Sequence, residues 1–291
     1  MDHLTVTVDG TTIALTSHTP ASSIDGLPLI ITLHGGTYTS AYYDVAGGPL
    51  GSFNDVACRA GFAVLSVDRS GYGGSEPLPE EENTFARQAD LLDAAIDLVL
   101  ADRPESGVVL VGHSIGGMVA LEIAARRPRW PLVGVSVTGI GARIPSGGAS
   151  EALGGLGLSG VVDLPVEQRD AVMFGPSGSF TEQAREAAHT TYAPTPFVEL
   201  VLAPRWARER LASVAGQVLV PVHNALAEHD ALWDSSPEAL AEFVAVFGGR
   251  ATAELVPGVG HSIDHHVLGA TVHLRQLAFA FQCGAGAAVR A

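Results

Sequence analysis

The 291-residue chain contains no lysine, so all 16 of its basic residues are arginines, and they stand against 31 aspartates and glutamates. The resulting formal net charge of -15 at pH 7 repels phosphate, which argues against a broad nucleic-acid or anionic-membrane surface. Cysteine is scarce too, with only Cys58 and Cys283 present. Neither belongs to a Cys-x-x-Cys or Cys/His pattern, which excludes a disulfide framework and a cysteine zinc site and leads us to expect a cytoplasmic location. No run of about 18 apolar residues occurs, so no membrane-spanning helix is expected. Nor is a secretory signal, because Met1-Asp2-His3 is followed by alternating Leu4, Val6 and Val8 rather than by a basic and then an apolar region. Charged residues are also few, at 16% against 47% hydrophobic, a balance that excludes a disordered chain.

What is present is an alternation of short apolar runs and amphipathic stretches. Residues 4–8 and 12–16 flank Asp9-Gly10 and predict an antiparallel hairpin. Continuous apolar runs at Leu29–Leu33, Phe62–Val67, Val108–Val111, Leu132–Val137 and Val218–Val222 predict strands buried on both faces. Helical periodicity marks Thr84–Leu100, Ile115–Ala125, residues 237–247 after Ser236, and residues 264–281. Strands alternating with helices give a mostly parallel α/β sheet, whose ligands lie at the carboxyl ends of the strands. The alternation breaks over residues 144–214, a length too great for a loop. We expect a core of 1–143 and 215–291 with a lid subdomain of 144–214, and a frayed tail over Gly284–Ala291.

The chemistry concentrates at Gly112-His113-Ser114-Ile115-Gly116, which joins an apolar strand directly to a helical run. In a strand–turn–helix setting this Gly-x-Ser-x-Gly spacing forces the serine into a strained conformation, with small neighbours permitting close backbone approach. Ser114 is thus the candidate nucleophile, at the start of a helix whose N–H groups favour an anion. A second glycine pattern, Gly155-Leu156-Gly157-Leu158-Ser159-Gly160, has no preceding strand and fails as a dinucleotide fingerprint.

Here the chain resembles the α/β-hydrolase family. His34-Gly35-Gly36 after the strand Leu29–Leu33 is similar to that family's oxyanion loop, and Asp68-Arg69-Ser70-Gly71-Tyr72-Gly73-Gly74-Ser75 to the loop after its next strand. The resemblance implies an acid after a later strand and a histidine near the C-terminus. Asp230 and His261 stand there, with Glu228 and Asp234 as alternative acids and His265 and His266 as alternative bases. In these roles His261 takes the serine proton, Asp230 orients the imidazole, and the backbone N–H groups of Ile115 and Gly36 form the oxyanion hole. His34 and His113 are read as structural. Tyr38, Tyr42 and Tyr43 either shape a pocket or anchor the loop.

The expected function is cleavage of a carboxylic ester or lactone of a neutral, hydrophobic small molecule through an acyl-serine. No cofactor is expected, and no metal, since the His-Glu-x-x-His spacing is absent. A thioesterase or acyl-transferring cyclase with the same triad is the alternative, and a non-catalytic small-molecule-binding protein is the alternative of another class. Lid residues Phe174, Phe180, Phe197, Leu200 and Trp206 are available to pack or to line the site.

Overall fold

The computed structural model describes residues 1–101, 107–145 and 159–290. The chain opens with the hairpin β1 (Asp2–Val8) and β2 (Thr11–His18), turned by Asp9 and Gly10 at φ 50° and 83°. The core strands are β3 (Leu29–Leu33), β4 (Val64–Val67), β5 (Val108–His113), β6 (Leu132–Thr138), β9 (Val222–His229) and β10 (Ala251–Gly260). Together they form one eight-stranded sheet in the order β1-β2-β4-β3-β5-β6-β9-β10. β1 and β2 are antiparallel to their neighbours, and all later pairs are parallel.

Both sheet faces are covered, which explains the unbroken apolar runs. Ile31, Leu33, Val108 and Leu110 point into one core with helices α2 (Phe85–Leu100) and α3 (Ile115–Arg126). Their neighbours Ile30, Val109 and Val111 point into the other, with α1 (Phe53–Arg59) and α9 (Gly269–Arg290). Side chains successive along a strand project to opposite faces, so a run buried on both must be apolar throughout. Ser52 closes a capping box on α1, while Thr84 and Ser236 cap α2 and α8 (Pro237–Val246) by accepting from Arg87 and Ala239 N–H.

Two sequence expectations shift. Val218–Val222 leads into a strand rather than forming one, because residues 218–221 follow the end of helix α7 (Leu211–Gln217) and ladder pairing with β6 begins at Val222. The small-residue tail is helical in backbone, since α9 continues through Gly284 to Arg290.

Between β6 and β9 the described residues form a small ribbon, β7 (Val161–Val162) with β8 (Thr195–Pro196), and helices α4 (Val166–Met173), α5 (Glu182–His189) and α6 (Phe197–Glu209) before α7. The glycine pattern of residues 155–160 lies mostly outside the described residues. Among those described, no helix is long and apolar enough to cross a membrane.

Candidate active site

Ser114 sits between β5 and α3 with φ 51° and ψ -123°, a conformation that costs a non-glycine residue free energy and persists only under surrounding constraint. The constraint is visible. Ser114 N–H donates to Thr138 O at 2.8 Å, and its carbonyl accepts from Gly117 and Met118 at 2.9 and 3.1 Å. A Cβ at Gly112 would stand 2.5 Å from Gly117 Cα, and one at Gly116 would overlap the carbonyls of Leu33 and His34. The small residues around the serine are therefore required by the packing of β3, β5 and α3.

The loop after β3 crosses this turn closely. A Cβ on Gly35 would lie 3.2 Å from Ser114 Cβ, and one on Gly36 3.0 Å from Ile115 Cδ1. Gly36, Ile115 and Ser114 border one cavity of about 60 Å³. The first amides of a helix have no intrahelical acceptor, so the N–H of Ile115 is available to an anion at this spot.

His261 directly follows β10 and is fully buried. Its Nδ1 donates to Asp230 Oδ2 at 2.8 Å, while its Nε2 is buried without a partner among the described residues. Asp230, just past β9, is held from its other side: Oδ1 accepts the N–H groups of Leu232 at 2.9 Å and Trp233 at 3.2 Å. The alternative acids are engaged elsewhere. Glu228 Oε2 accepts from Gly258 N–H at 2.7 Å, and Asp234 Oδ1 from Ser236 N–H at 2.9 Å.

Neither alternative base is hydrogen-bonded to a carboxylate, although His265 Nδ1 is also buried without a partner among the described residues. His265 Nε2 donates to Tyr42 O, and His266 Nδ1 donates to Ser262 O while its Nε2 accepts from Gly175 and Gly260 N–H. Burial pushes both down to about 4, so they remain neutral. His34 Nδ1 donates to Gly35 O and its Nε2 accepts from Arg69 N–H, which fixes the tautomer. His113 Nδ1 lies 3.0 Å from Thr138 Oγ1. Burial holds both of these well below the usual histidine value.

The tyrosines anchor rather than line the cavity. Tyr38 and Tyr42 hydroxyls reach Ser262 Oγ at 3.0 Å and Asp264 Oδ2 at 2.8 Å, and Tyr43 donates to Leu33 O. Of the five residues from 144–214 offered as lining, Leu200 borders the cavity. Trp206 instead donates to Glu122 Oε1, and Phe174 packs on Phe180.

Sequence reasoning missed a buried network behind the loop that carries Gly35 and Gly36. Arg69 donates from Nε to His34 O and from Nη2 to Gly35 O, and pairs with Glu199 of α6 at 2.9 Å, both side chains fully buried. Tyr72 and Gln88 also donate to Glu199. The only signal was Arg69 inside the glycine-rich loop, because its partner lies 130 residues away.

The wall of the cavity is mainly apolar, with Met118, Ile144, Met173, Leu200, Ala203, Pro204 and Leu232. Among the described residues no cluster of His, Cys, Asp and Glu could hold a metal ion. A strained serine and an open helix start border this cavity at the carboxyl ends of parallel strands, and the ring of the carboxylate-bound His261 lies 4.9 Å from that of His113, the residue before the serine.

A model of the alpha/beta hydrolase family matches residues 30–270. The chain belongs to the alpha/beta hydrolase family, and its membership sets it among hydrolytic enzymes. In fold it is similar to a thermophilic esterase from Thermogutta terrifontis, at 18% identity and a TM-score of 0.70 over 98% of this chain and 100% of that one. It is also similar to an N-acyl homoserine lactonase, at 15% identity and a TM-score of 0.68 over 97% and 98% of the two chains. A third similar structure is the proline iminopeptidase of Mycobacterium smegmatis, at 20% identity and a TM-score of 0.65 over 98% and 100%. No curated protein matches the chain.

Proposed function

We propose that the protein hydrolyses a carboxylic ester or lactone of an apolar small molecule through an acyl-Ser114 intermediate. The observation that carries this reading is His261, bound at Nδ1 by Asp230 and, among the described residues, unpartnered at Nε2. With its Nδ1 proton committed to the carboxylate, the imidazole presents a lone pair at Nε2, the form a general base requires.

Ser114 Oγ attacks the carbonyl carbon as His261 Nε2 takes its proton. The N–H groups of Gly36 and Ile115 hold the oxyanion that forms. The carbon–oxygen bond then breaks, and the leaving alkoxide receives the proton from His261. Water then attacks the acyl carbon as His261 Nε2 takes its proton, and the acyl–Oγ bond breaks as His261 returns that proton to Ser114 Oγ and the acid is released. Asp230 stabilises the imidazolium in both halves. An ester or lactone suits this set because one proton from His261 completes the leaving group, and the apolar wall favours an uncharged substrate. The described part of the segment read as the lid contributes Ile144, Met173, Leu200, Ala203 and Pro204 to the cavity wall.

The test is intact-mass analysis with peptide mapping after fluorophosphonate treatment of the wild type and His261→Ala. The expected result is one adduct on Ser114 that forms much more slowly in the variant. Absence of the adduct would sink the serine mechanism and favour a binding protein on this fold. Esters, lactones and thioesters assayed side by side then fix the leaving group.

A further inference from the structure

The chain has three tryptophans. Trp130 Nε1 donates to Asp93 Oδ1 at 2.7 Å, and Trp206 Nε1 to Glu122 Oε1 at 2.9 Å. Trp233 Nε1 is buried with no partner among the described residues, and Trp233 borders the cavity that holds Ser114. A buried indole N–H normally finds an acceptor, because leaving it bare costs its full desolvation.

Trp233 is firmly placed. Its backbone N–H donates to Asp230 Oδ1, and a Cβ on Gly141 would lie 3.1 Å from its Cε3 and 3.2 Å from its Cβ. The Cε3 edge of the ring thus rests on Gly141. Nε1 belongs to the opposite long edge of an indole, directed away from that backbone.

A second residue of the same cavity wall, Thr37, carries an unsatisfied group. Thr37 Oγ1 is buried without a partner among the described residues, and Thr37 is held at φ 66°. That left-handed conformation is costly for a β-branched residue, the kind of strain that collects at ligand sites. Apart from Ser114, the remaining side chains of the wall are apolar.

We infer that Trp233 Nε1 and Thr37 Oγ1 form a specificity subsite that binds a hydrogen-bond-accepting oxygen on the substrate, separate from the reacting ester group. This inference rests on the serine-hydrolase reading and narrows its substrate class to oxygenated esters or lactones. Trp233 donates only, so the recognised atom is an acceptor such as an ether, hydroxyl or carbonyl oxygen. Thr37 adds a hydroxyl that donates or accepts.

Pairs of isosteric esters test it. Ethyl methoxyacetate against ethyl butyrate, and ethyl 3-methoxypropanoate against ethyl pentanoate, place the oxygen in the acyl arm. 2-Methoxyethyl acetate against butyl acetate places it in the alcohol arm. Trp233→Phe is expected to lower kcat/KM for the oxygenated member of at least one pair about tenfold more than for its alkyl partner, since a site built around a polar contact discriminates strongly. Comparing variant with wild type cancels the intrinsic reactivity of each ester. Thr37→Val should shift the same pair in the same sense, and Thr37→Ser should restore it. Equal factors for both members of every pair overturn the inference, as does a protein that labels at Ser114 yet hydrolyses no member of any pair. Failure to label Ser114 instead overturns the reading on which it rests.

Discussion

At the scale of single residues, the glycine-flanked serine was fully legible because everything it needs lies within a few positions. Gly112 and Gly116 make room for backbone, and the strand before and helix after are encoded in adjacent apolar patterns. The carboxylate that reaches His261 was not legible to the same degree. Glu228, Asp230 and Asp234 fall within one short stretch, and only the loop's three-dimensional course sends Asp230 to His261 and the others to Gly258 and Ser236. Replacement of Asp230 by asparagine is expected to lower kcat on the order of 10⁴-fold through loss of the Nδ1–H tautomer, whereas Glu228→Gln changes it by less than about threefold, measured on the best ester found. A loss of equal size at Glu228 would reassign the acid. Gly116→Ala should destabilise the fold by several kcal/mol, because its methyl collides with unyielding backbone, and a denaturation curve near wild type would contradict this.

At the scale of elements, strands buried on both faces announced themselves as apolar runs, and Ser236-Pro237 marked the start of α8. The strand before Asp230 was misplaced because the apolar run Val218–Val222 is split between the close of α7 and the first rung of β9, whose later residues include Asn224 and Ala225. Elements of the β6–β9 insertion were equally hidden. Their packing depends on long-range partners, above all the Arg69–Glu199 pair, which no local pattern signals. Removing one partner of a buried pair leaves an uncompensated charge, so Glu199→Ala should cost about 3–5 kcal/mol in chemical denaturation. The double variant Arg69→Met/Glu199→Met should recover much of that loss. Equal destabilisation by the single and double variants would show that the hydrogen bonds of Arg69 to His34 O and Gly35 O matter more than the charge pairing.

At the scale of the molecule, charge and histidine placement set the response to acid. Burial lowers the values of His34, His113, His265 and His266 in the folded protein, to about 4 for the last two. The unfolded chain takes up these protons first, near pH 6.5. Stability from these groups is thus complete above that pH and is lost as the pH falls toward 4. The urea midpoint should drop steadily between pH 7.5 and 4.5, and a constant midpoint would contradict the neutral assignments. The Arg69–Glu199 pair carries a different consequence for the whole chain. Arg69 grips the loop that bears Gly35 and Gly36, while Glu199 adjoins Leu200 in the cavity wall. The insertion is therefore not a freely exchangeable module: a chimera that replaces it must bring a carboxylate to the same place, or the grafted wall will strand a guanidinium under the loop beside the serine.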